Sequence, residues 1–592
     1  MQESKIFNYI WHLKQNLIMA NLNTTLNKTN TYDAIVIGSG MSGGWAAKEL
    51  CEKGLKTLVL EKGRMVNHVE DYPTMMKEPW EMDFRGGLSQ EDIKKYHVQI
   101  RSGFVGESTK HFFTDDLENP YVEEKRFDWI RGNHVGGRSI TWGKQVYRWS
   151  DLDFEANAKD GIAVDWPIRY KEMASWYTYV EKFVGVSGEK LGLAHLPDGY
   201  FLPPMELNCL EQHFKKEVAK KFNGRMVTIG RVAHLTEPQP WHLELGRGQC
   251  QYRNRCSRGC PYGAYFSSNS ATLPAANKTN NFAIRPNSIV HSIILDEKTN
   301  RATGVRVIDS ETKEMIEFYA KIIFCCASTL ATTQILLNST SNRFPNGLGN
   351  DSGELGHNIM DHHYHVGAKG EYDGFEDQYY KGRRPNGMYI PRYVNLDESS
   401  KNPNFIRGFG YQGFGARADW GRGGNNTEGV GADFKDGLMK PGGWGMSLMG
   451  FGEILPYHEN SVRLDKDKKD AFGIPQLVFS AEIKENELKM REKIKADAAE
   501  MLENAGFKNI FPFDNMGGIG NGVHEMGTAR MGKDPKTSVL NGNNQIHAVP
   551  NVFVTDGACM TSASNVNPSI TYMALTARAV DFAVKALNKK EL

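Results

Sequence analysis

Residues 32–61 read YDAIVIGSGMSGGWAAKELCEKGLKTLVLE, and the reading of this stretch decides the fold. YDAIVIGS is apolar and rich in β-branched side chains, the pattern of a strand buried on both faces. It runs into Gly38-Ser39-Gly40-Met41-Ser42-Gly43, then a segment of helical composition over 44–53, then a second apolar strand at 57–60 that ends on Glu61. Strand, glycine turn, helix, strand and acid, with Glu61 23 residues beyond Gly38, make up the dinucleotide-binding fingerprint in its required setting. Gly38 permits the tight turn, Gly40 lets the backbone approach a pyrophosphate, and Gly43 lets the helix pack on the sheet. The helix N-terminus offers free N–H groups to phosphates, and Glu61 is placed to accept from ribose hydroxyls. A bare glycine triplet also arises in chance turns; the two strands and the acid set this one apart. The fingerprint does not separate NAD from FAD.

The remaining composition bounds what such a domain serves. At 592 residues the chain has room for about four domains of common size. Its 71 Lys+Arg against 70 Asp+Glu exclude the basic footprint of a nucleic-acid or anionic-membrane binder. A hydrophobic content of 40%, with 11% aromatic, supplies sizeable cores and excludes a disordered chain. Eight Cys are too few for a disulfide scaffold. The longest apolar stretch, 322–337, is broken by Ser328, Thr329, Thr332, Thr333 and Gln334, so no membrane-spanning helix is expected. Residues 1–31 show neither a continuous apolar run nor a twin arginine, and no signal peptide is legible. Ile6, Ile10, Leu13 and Leu17 have the spacing of a short amphipathic helix; a plainer reading takes Met19 as the start and 1–18 as an extension.

Three further segments carry information. Residues 131–143 read RGNHVGGRSITWG, a glycine-dense loop with Trp142. Residues 524–532 read HEMGTARMG. The C-terminal region places a strand at 552–555, the turn Asp556-Gly557, and Asn567-Pro568 before a helix of about 17 residues, where Pro suits the first turn. Together, and in this order, these motifs resemble those of the glucose–methanol–choline (GMC) oxidoreductases, over residues 32–587. The resemblance implies non-covalent FAD, a doubly wound Rossmann-like domain in discontinuous segments, and an α+β substrate domain with an antiparallel sheet. It also implies that Gly38, Gly40, Gly43, Glu61, Gly136, Gly137, Ser139, Asp556, Gly557 and Asn567 hold FAD, with the backbone of Val290 beside the adenine. In pyranose oxidases the residue before the loop tryptophan is a histidine bonded to flavin; Thr141 stands there, so that linkage is not expected.

Flavin-dependent alcohol oxidation needs a base for the hydroxyl proton and a fixed path for the carbinol hydrogen. His524 has the side chain suited to proton transfer near neutral pH, and Asn567 is expected to orient the same hydroxyl. A lone histidine is more often structural; the flanking motif and the paired Asn outweigh that reading. The His/Asn pair resembles that of pyranose oxidases and bacterial sugar and polyol dehydrogenases. Asp361-His362-His363 holds metal-ligating residue types, yet adjacent histidines do not easily face one ion, so the segment is expected to be structural.

Cys250, Cys256 and Cys260 follow the spacing C-x5-C-x3-C-P among Arg253, Arg255 and Arg258. Zinc sites favour C-x2–4-C pairs and a fourth ligand, and a disulfide would leave an odd thiol. Three thiolates among backbone donors and cations suit an anionic iron–sulfur cluster; three free structural thiols are the plainer alternative. The spacing resembles that of bacterial FAD-dependent glucose dehydrogenases, which implies a [3Fe–4S] cluster, a dehydrogenase rather than an oxidase, and as partners a small helical subunit and a cytochrome c. Cys51, Cys209, Cys325, Cys326 and Cys559 read as small hydrophobes.

The expected organisation is an extension at 1–30, FAD-binding segments at 31–165, 262–365 and 520–592, substrate-domain segments at 166–235 and 366–519, and a cysteine loop at 236–261. Tyr379-Tyr380, Trp420 and Trp444 are candidates to stack on sugar faces, with loop packing the plainer reading, and the glycine-rich run 421–431 reads as a mobile loop near the pocket. By resemblance the substrate is a pyranose oxidised at C3, as in glucoside 3-dehydrogenases. Glucose C1, gluconate C2, fructose C5, an oxidase and a non-catalytic flavin- or sugar-binding protein are the alternatives. Lacking its own signal, the chain is expected in the periplasm by co-export with the small subunit, or otherwise in the cytoplasm.

Overall fold

A computed structural model of the protein describes residues 22–378, 387–418 and 429–592. The N-terminal helix considered at 1–18, Tyr379-Tyr380, Trp420 and residues 421–428 of the glycine-rich run lie outside them. The decisive strand forms over Thr31–Ile37 and pairs in parallel with Thr57–Leu60 on one side and Met315–Cys325 on the other. Phe282–Arg285 extends the parallel order beyond Thr57–Leu60, and Val549–Val554 extends it beyond Met315–Cys325. Alternation along the strand sends Ala34 and Val36 toward the helices Met41–Glu52 and Ser569–Asn588, with Leu50, Ala579, Val580 and Ala583. Ile35 and Ile37 face the antiparallel hairpin Ser288–Asp296/Arg301–Asp309 through Val290, Ile293, Val305 and Val307.

The helix Met41–Glu52 lies as close to the sheet as the glycines allow. Gly38 has φ +93°, and a Cβ on Gly43 would stand 1.9 Å from the Gly38 carbonyl oxygen.

A second, antiparallel sheet of six strands runs in the order Lys508–Asp514, His362–Tyr372, Trp444–Glu453, Phe409–Arg417, Met388–Ile390, Thr228–Ile229 among the described residues. The helices Glu485–Asn504 and Cys209–Lys221 cover one face, burying Met490, Ile494, Ala498, Leu210 and Phe214 against Tyr411, Met446 and Leu448. The expected α/β domain with an antiparallel partner is the fold observed.

Two expectations are corrected. The segment 166–235 is divided: Met173, Tyr177 and Val180 of the helix Tyr170–Val184 join the first core with Trp149 and Trp166, and only the later part joins the second sheet. Trp444 is not a free aromatic platform. It is buried at the start of a central strand, its Nε1–H donating to the Phe375 carbonyl at 2.9 Å, because alternation points it into the core. No helix among the described residues is long and apolar enough to cross a membrane.

Candidate functional site

A cavity of about 270 Å³ runs from the glycine turn to the C-terminal motifs. Gly38, Gly40, Glu61, Gly137, Ser139, Val290, Asp556, Gly557, His524 and Asn567 all line it. Gly43 and Gly136 stand behind the wall. Gly136 has φ +87°, its N–H donates to Ser39 Oγ at 2.9 Å, and a Cβ there would strike the Asn269 side chain.

Three helices begin at this cavity without a side-chain cap: Met41–Glu52 after Gly40, Thr329–Asn338 after Ser328, and Ser569–Asn588 after Pro568. Their first N–H groups and positive dipole ends favour bound negative charge. A Cβ on Gly40 would meet nothing within 4 Å, so the backbone there is open to a ligand. Glu61 accepts from Ser39 N–H at 3.1 Å, Ser39 Oγ–H at 2.6 Å and Gly63 N–H at 3.1 Å, and burial raises its pKa. Burial also pushes Asp556 up to about 6. Glu525 Oε1 and the Tyr572 hydroxyl, on the same lining, have no protein partner. Helix ends for phosphates, an acid for ribose and unpartnered polar atoms along one cavity fit a flavin dinucleotide.

At the far end stand His524 and Asn567. His524 Nε2 is 3.4 Å from Asn567 Nδ2, and Gln412 Nε2 donates to Asn567 Oδ1 at 2.7 Å. His524 Nδ1 lies 2.9 Å from Nδ1 of His362. Burial first, then His362 and the Arg138 cation, hold the His524 pKa well below the usual imidazole value, so the ring is neutral at neutral pH. Asp361 is fully buried and accepts four backbone N–H bonds: Gly520 at 2.8 Å, Gly522 at 2.9 Å, His524 at 3.0 Å and His362 at 2.8 Å. Burial and the nearby Glu525 carboxylate nevertheless push it up to about 7.

Sequence reasoning assigned Asp361-His362-His363 only a structural role, and the structure corrects this. Strand alternation sends His362 to the cavity side and His363 to the helix side, against Met490 Sδ at 3.2 Å. Adjacent histidines indeed face apart, but one of them reaches His524. Gln412 was missed too; its signal is a lone polar residue at an alternating position between Tyr411 and Phe414.

Cys250, Cys256 and Cys260 line a second, small cavity of about 30 Å³ with His234 and Tyr265. All eight cysteines are free thiols, and among the described residues no group of three or more His, Cys, Asp or Glu is arranged to hold a single metal ion. The three cysteines are among the residues that line one small void, and Tyr252 and Asn254 adopt positive φ (53° and 52°) in the loop around it. Lys144, two residues after Trp142, lines the first cavity, donates to the Cys256 carbonyl at 3.2 Å and lies over the Tyr265 ring at 4.3 Å. One loop thus touches both cavities.

Fold and site together define an oxidoreductase built around a nucleotide cofactor. Two models of the GMC oxidoreductase family match the chain, over residues 236–364 and 456–576. The 2-methyl-1,2-propanediol dehydrogenase of Mycolicibacterium austroafricanum is 29% identical over 93% of this chain and 94% of its own length. The fructose dehydrogenase large subunit of Gluconobacter japonicus is 25% identical over 95% and 99%. Pyridoxine 4-oxidase from Mesorbium loti shares the fold, with a TM-score of 0.56 at 16% identity over 93% of this chain and 99% of that one. The chain is thus similar to the GMC oxidoreductases over these two segments and to curated relatives along nearly its whole length; GMC oxidoreductases bind FAD and act on CH–OH groups.

Two glycines separate folding from cofactor binding. Gly40→Val should fold with the thermal stability of flavin-free wild-type protein yet purify without flavin absorbance, because its side chain projects into the cradle. Gly43→Ala should instead lose about 1–3 kcal/mol of stability, since its methyl meets backbone. Thermal melts with flavin absorbance check both, and a Gly40→Val protein as yellow as wild type would overturn the placement of the cofactor.

Proposed function

We propose that the protein is an FAD-dependent dehydrogenase that oxidises a secondary ring hydroxyl, at C3 of a glucoside or related pyranose, to a ketone. The observation that carries this reading is the convergence of His524 Nε2 and Asn567 Nδ2, 3.4 Å apart, on the cavity where the helix N-termini meet. FAD, when bound, supplies the two-electron acceptor for the carbinol hydrogen. The protein's own groups do the rest. Asn567 donates to the substrate oxygen, its amide held by Gln412, and His524 Nε2 takes the hydroxyl proton. A neutral, depressed imidazole is available to do so at neutral pH without prior loss of a proton. The relatives that act on fructose and on a diol favour a second reading, oxidation of a polyol or another sugar carbon by the same pair.

The spacing of Cys250, Cys256 and Cys260, which line one small void, is the basis for proposing a [3Fe–4S] cluster there, which would supply one-electron transfer out of the protein. Burial pushes the Cys256 thiol up to about 12, so it would lose its proton only on binding the metal. Beside this loop, Arg253 donates to the Met75 carbonyl at 2.6 Å, Arg255 to that of Met76 at 3.2 Å and Arg258 to that of Lys77 at 3.0 Å. The gripped segment exposes Met76 by 58%, Trp80 by 69% and Phe84 by 68%, an apolar face suited to a protein partner. A small helical subunit and a cytochrome c are the partners proposed, the former carrying the chain to the periplasm.

His524→Ala should keep its flavin and lose about 10²- to 10⁴-fold in the rate of flavin bleaching by sugar. In the wild-type enzyme the acid limb of that rate should lie below pH 6.5, the ordinary imidazole value, because a depressed pKa keeps the base unprotonated down to lower pH. An unchanged bleaching rate in the variant would remove His524 from the chemistry.

Cys256→Ser should leave bleaching by sugar intact and abolish reduction of a cytochrome c. Anaerobically purified wild-type protein should contain iron and acid-labile sulfide; if neither is found, the cluster and the cytochrome partner fall together.

A further inference from the structure

His362 is 1% exposed and lies at the start of the strand His362–Tyr372, where Asp361 holds its backbone N–H. Its Nε2 is 3.2 Å from the Ala563 carbonyl, and its Nδ1 is 2.9 Å from His524 Nδ1. A carbonyl only accepts, so His362 must carry its proton on Nε2. A neutral imidazole has one N–H, which leaves Nδ1 of His362 as a bare acceptor. The Nδ1–Nδ1 bond then has one possible polarity: His524 donates. His524 must therefore carry its proton on Nδ1 and keep Nε2 bare.

The opposite end of the chain of bonds agrees independently. Gln412 donates to Asn567 Oδ1, so the Asn567 amide turns its N–H toward His524 Nε2, which must accept. The bonds Gln412→Asn567→His524→His362→Ala563 all point one way. They join the substrate-side sheet to the loop before the C-terminal helix, and the acceptor at the far end, a backbone oxygen, does not titrate.

We propose that His362 is a positioning residue that fixes the tautomer of His524, leaving Nε2 unprotonated toward the cavity. The proposal rests on the reading of His524 as the base. Burial holds the His362 pKa at about 4, so the ring stays neutral at working pH and the argument for a single N–H applies. The Nδ1 of His362 also serves the reaction: once Nε2 has taken the hydroxyl proton, His524 is an imidazolium whose Nδ1–H already has its acceptor. A histidine left to choose its tautomer in water prefers neither nitrogen strongly enough to fix the base; here the choice is made by a backbone carbonyl 3.2 Å from the second ring.

The direct test reads the ring nitrogens of His524 by ¹⁵N NMR in FAD-loaded, ¹⁵N-histidine-labelled protein, the signals being assigned by their loss in His524→Asn. Protonated Nδ1 and bare Nε2 in the wild-type protein are expected; the reverse would overturn the proposal, and this measurement needs no variant at His362. Two variants then separate tautomer control from packing. His362→Asn places Oδ1 where Nδ1 stood, so it should keep the acceptor, the tautomer and a bleaching rate within about threefold of wild type. His362→Phe fills the space without an acceptor and should mix the tautomers and lower the bleaching rate constant about 10- to 100-fold at saturating sugar, with the half-saturating concentration little changed. Equal losses in both variants, or a His362→Phe enzyme with wild-type tautomer and rate, would make His362 merely structural. If His524→Ala retains full activity while the tautomer is as expected, the base assignment fails and the geometry of the pair stands.

Discussion

The Asp361 carboxylate is the point on which the site depends. It sits fully buried where the antiparallel sheet meets the loop 520–524, and its two oxygens take four backbone N–H groups, two from the loop glycines and one each from His524 and His362. Four donors converging on one acceptor from two segments 159 residues apart fix those segments against each other. A buried N–H without a partner is costly, so replacing this carboxylate would strand several at once. Gly522 shows how tight the closure is: a Cβ there would stand 2.1 Å from the His362 carbonyl. The two imidazoles are held at 2.9 Å because their backbones are tied to the same side chain.

The division of labour between the two sheets follows from this junction. The parallel sheet gathers uncapped helix ends at the cavity, a field for a negatively charged cofactor that no single side chain supplies. The antiparallel sheet contributes Gln412 and His362 from alternating positions whose neighbours, Tyr411 and His363, pack on the far face. Alternation with period two thus lets one sheet serve a core and a reaction centre together.

Much of this was legible in the sequence. The fingerprint carried the parallel sheet because glycine spacing, strand and acid have one common structural solution, and most of the residues named by the GMC-like motifs line one cavity, Gly43 and Gly136 standing behind it. His524 and Asn567 were found because they sit inside motifs. His362, Asp361 and Gln412 were not, because their roles arise from contacts across 155 to 201 residues that no local pattern encodes. Trp444 was misread for the same reason: an aromatic near a glycine-rich stretch looks like a surface platform until its strand neighbours are known. The division of 166–235 between two cores also lay beyond local reading, since the helix Tyr170–Val184 is amphipathic and only its partner, Ser569–Asn588, says which core receives it.

The central claim is that the cavity between the helix ends and His524 oxidises a sugar carbinol with FAD as the acceptor. Anaerobic mixing of the FAD-loaded enzyme with methyl α-glucopyranoside, unlabelled or deuterated at C3, tests it most directly. The account predicts bleaching of the flavin absorbance, slowed by deuterium at C3. No bleaching, or bleaching indifferent to that deuterium, would contradict it.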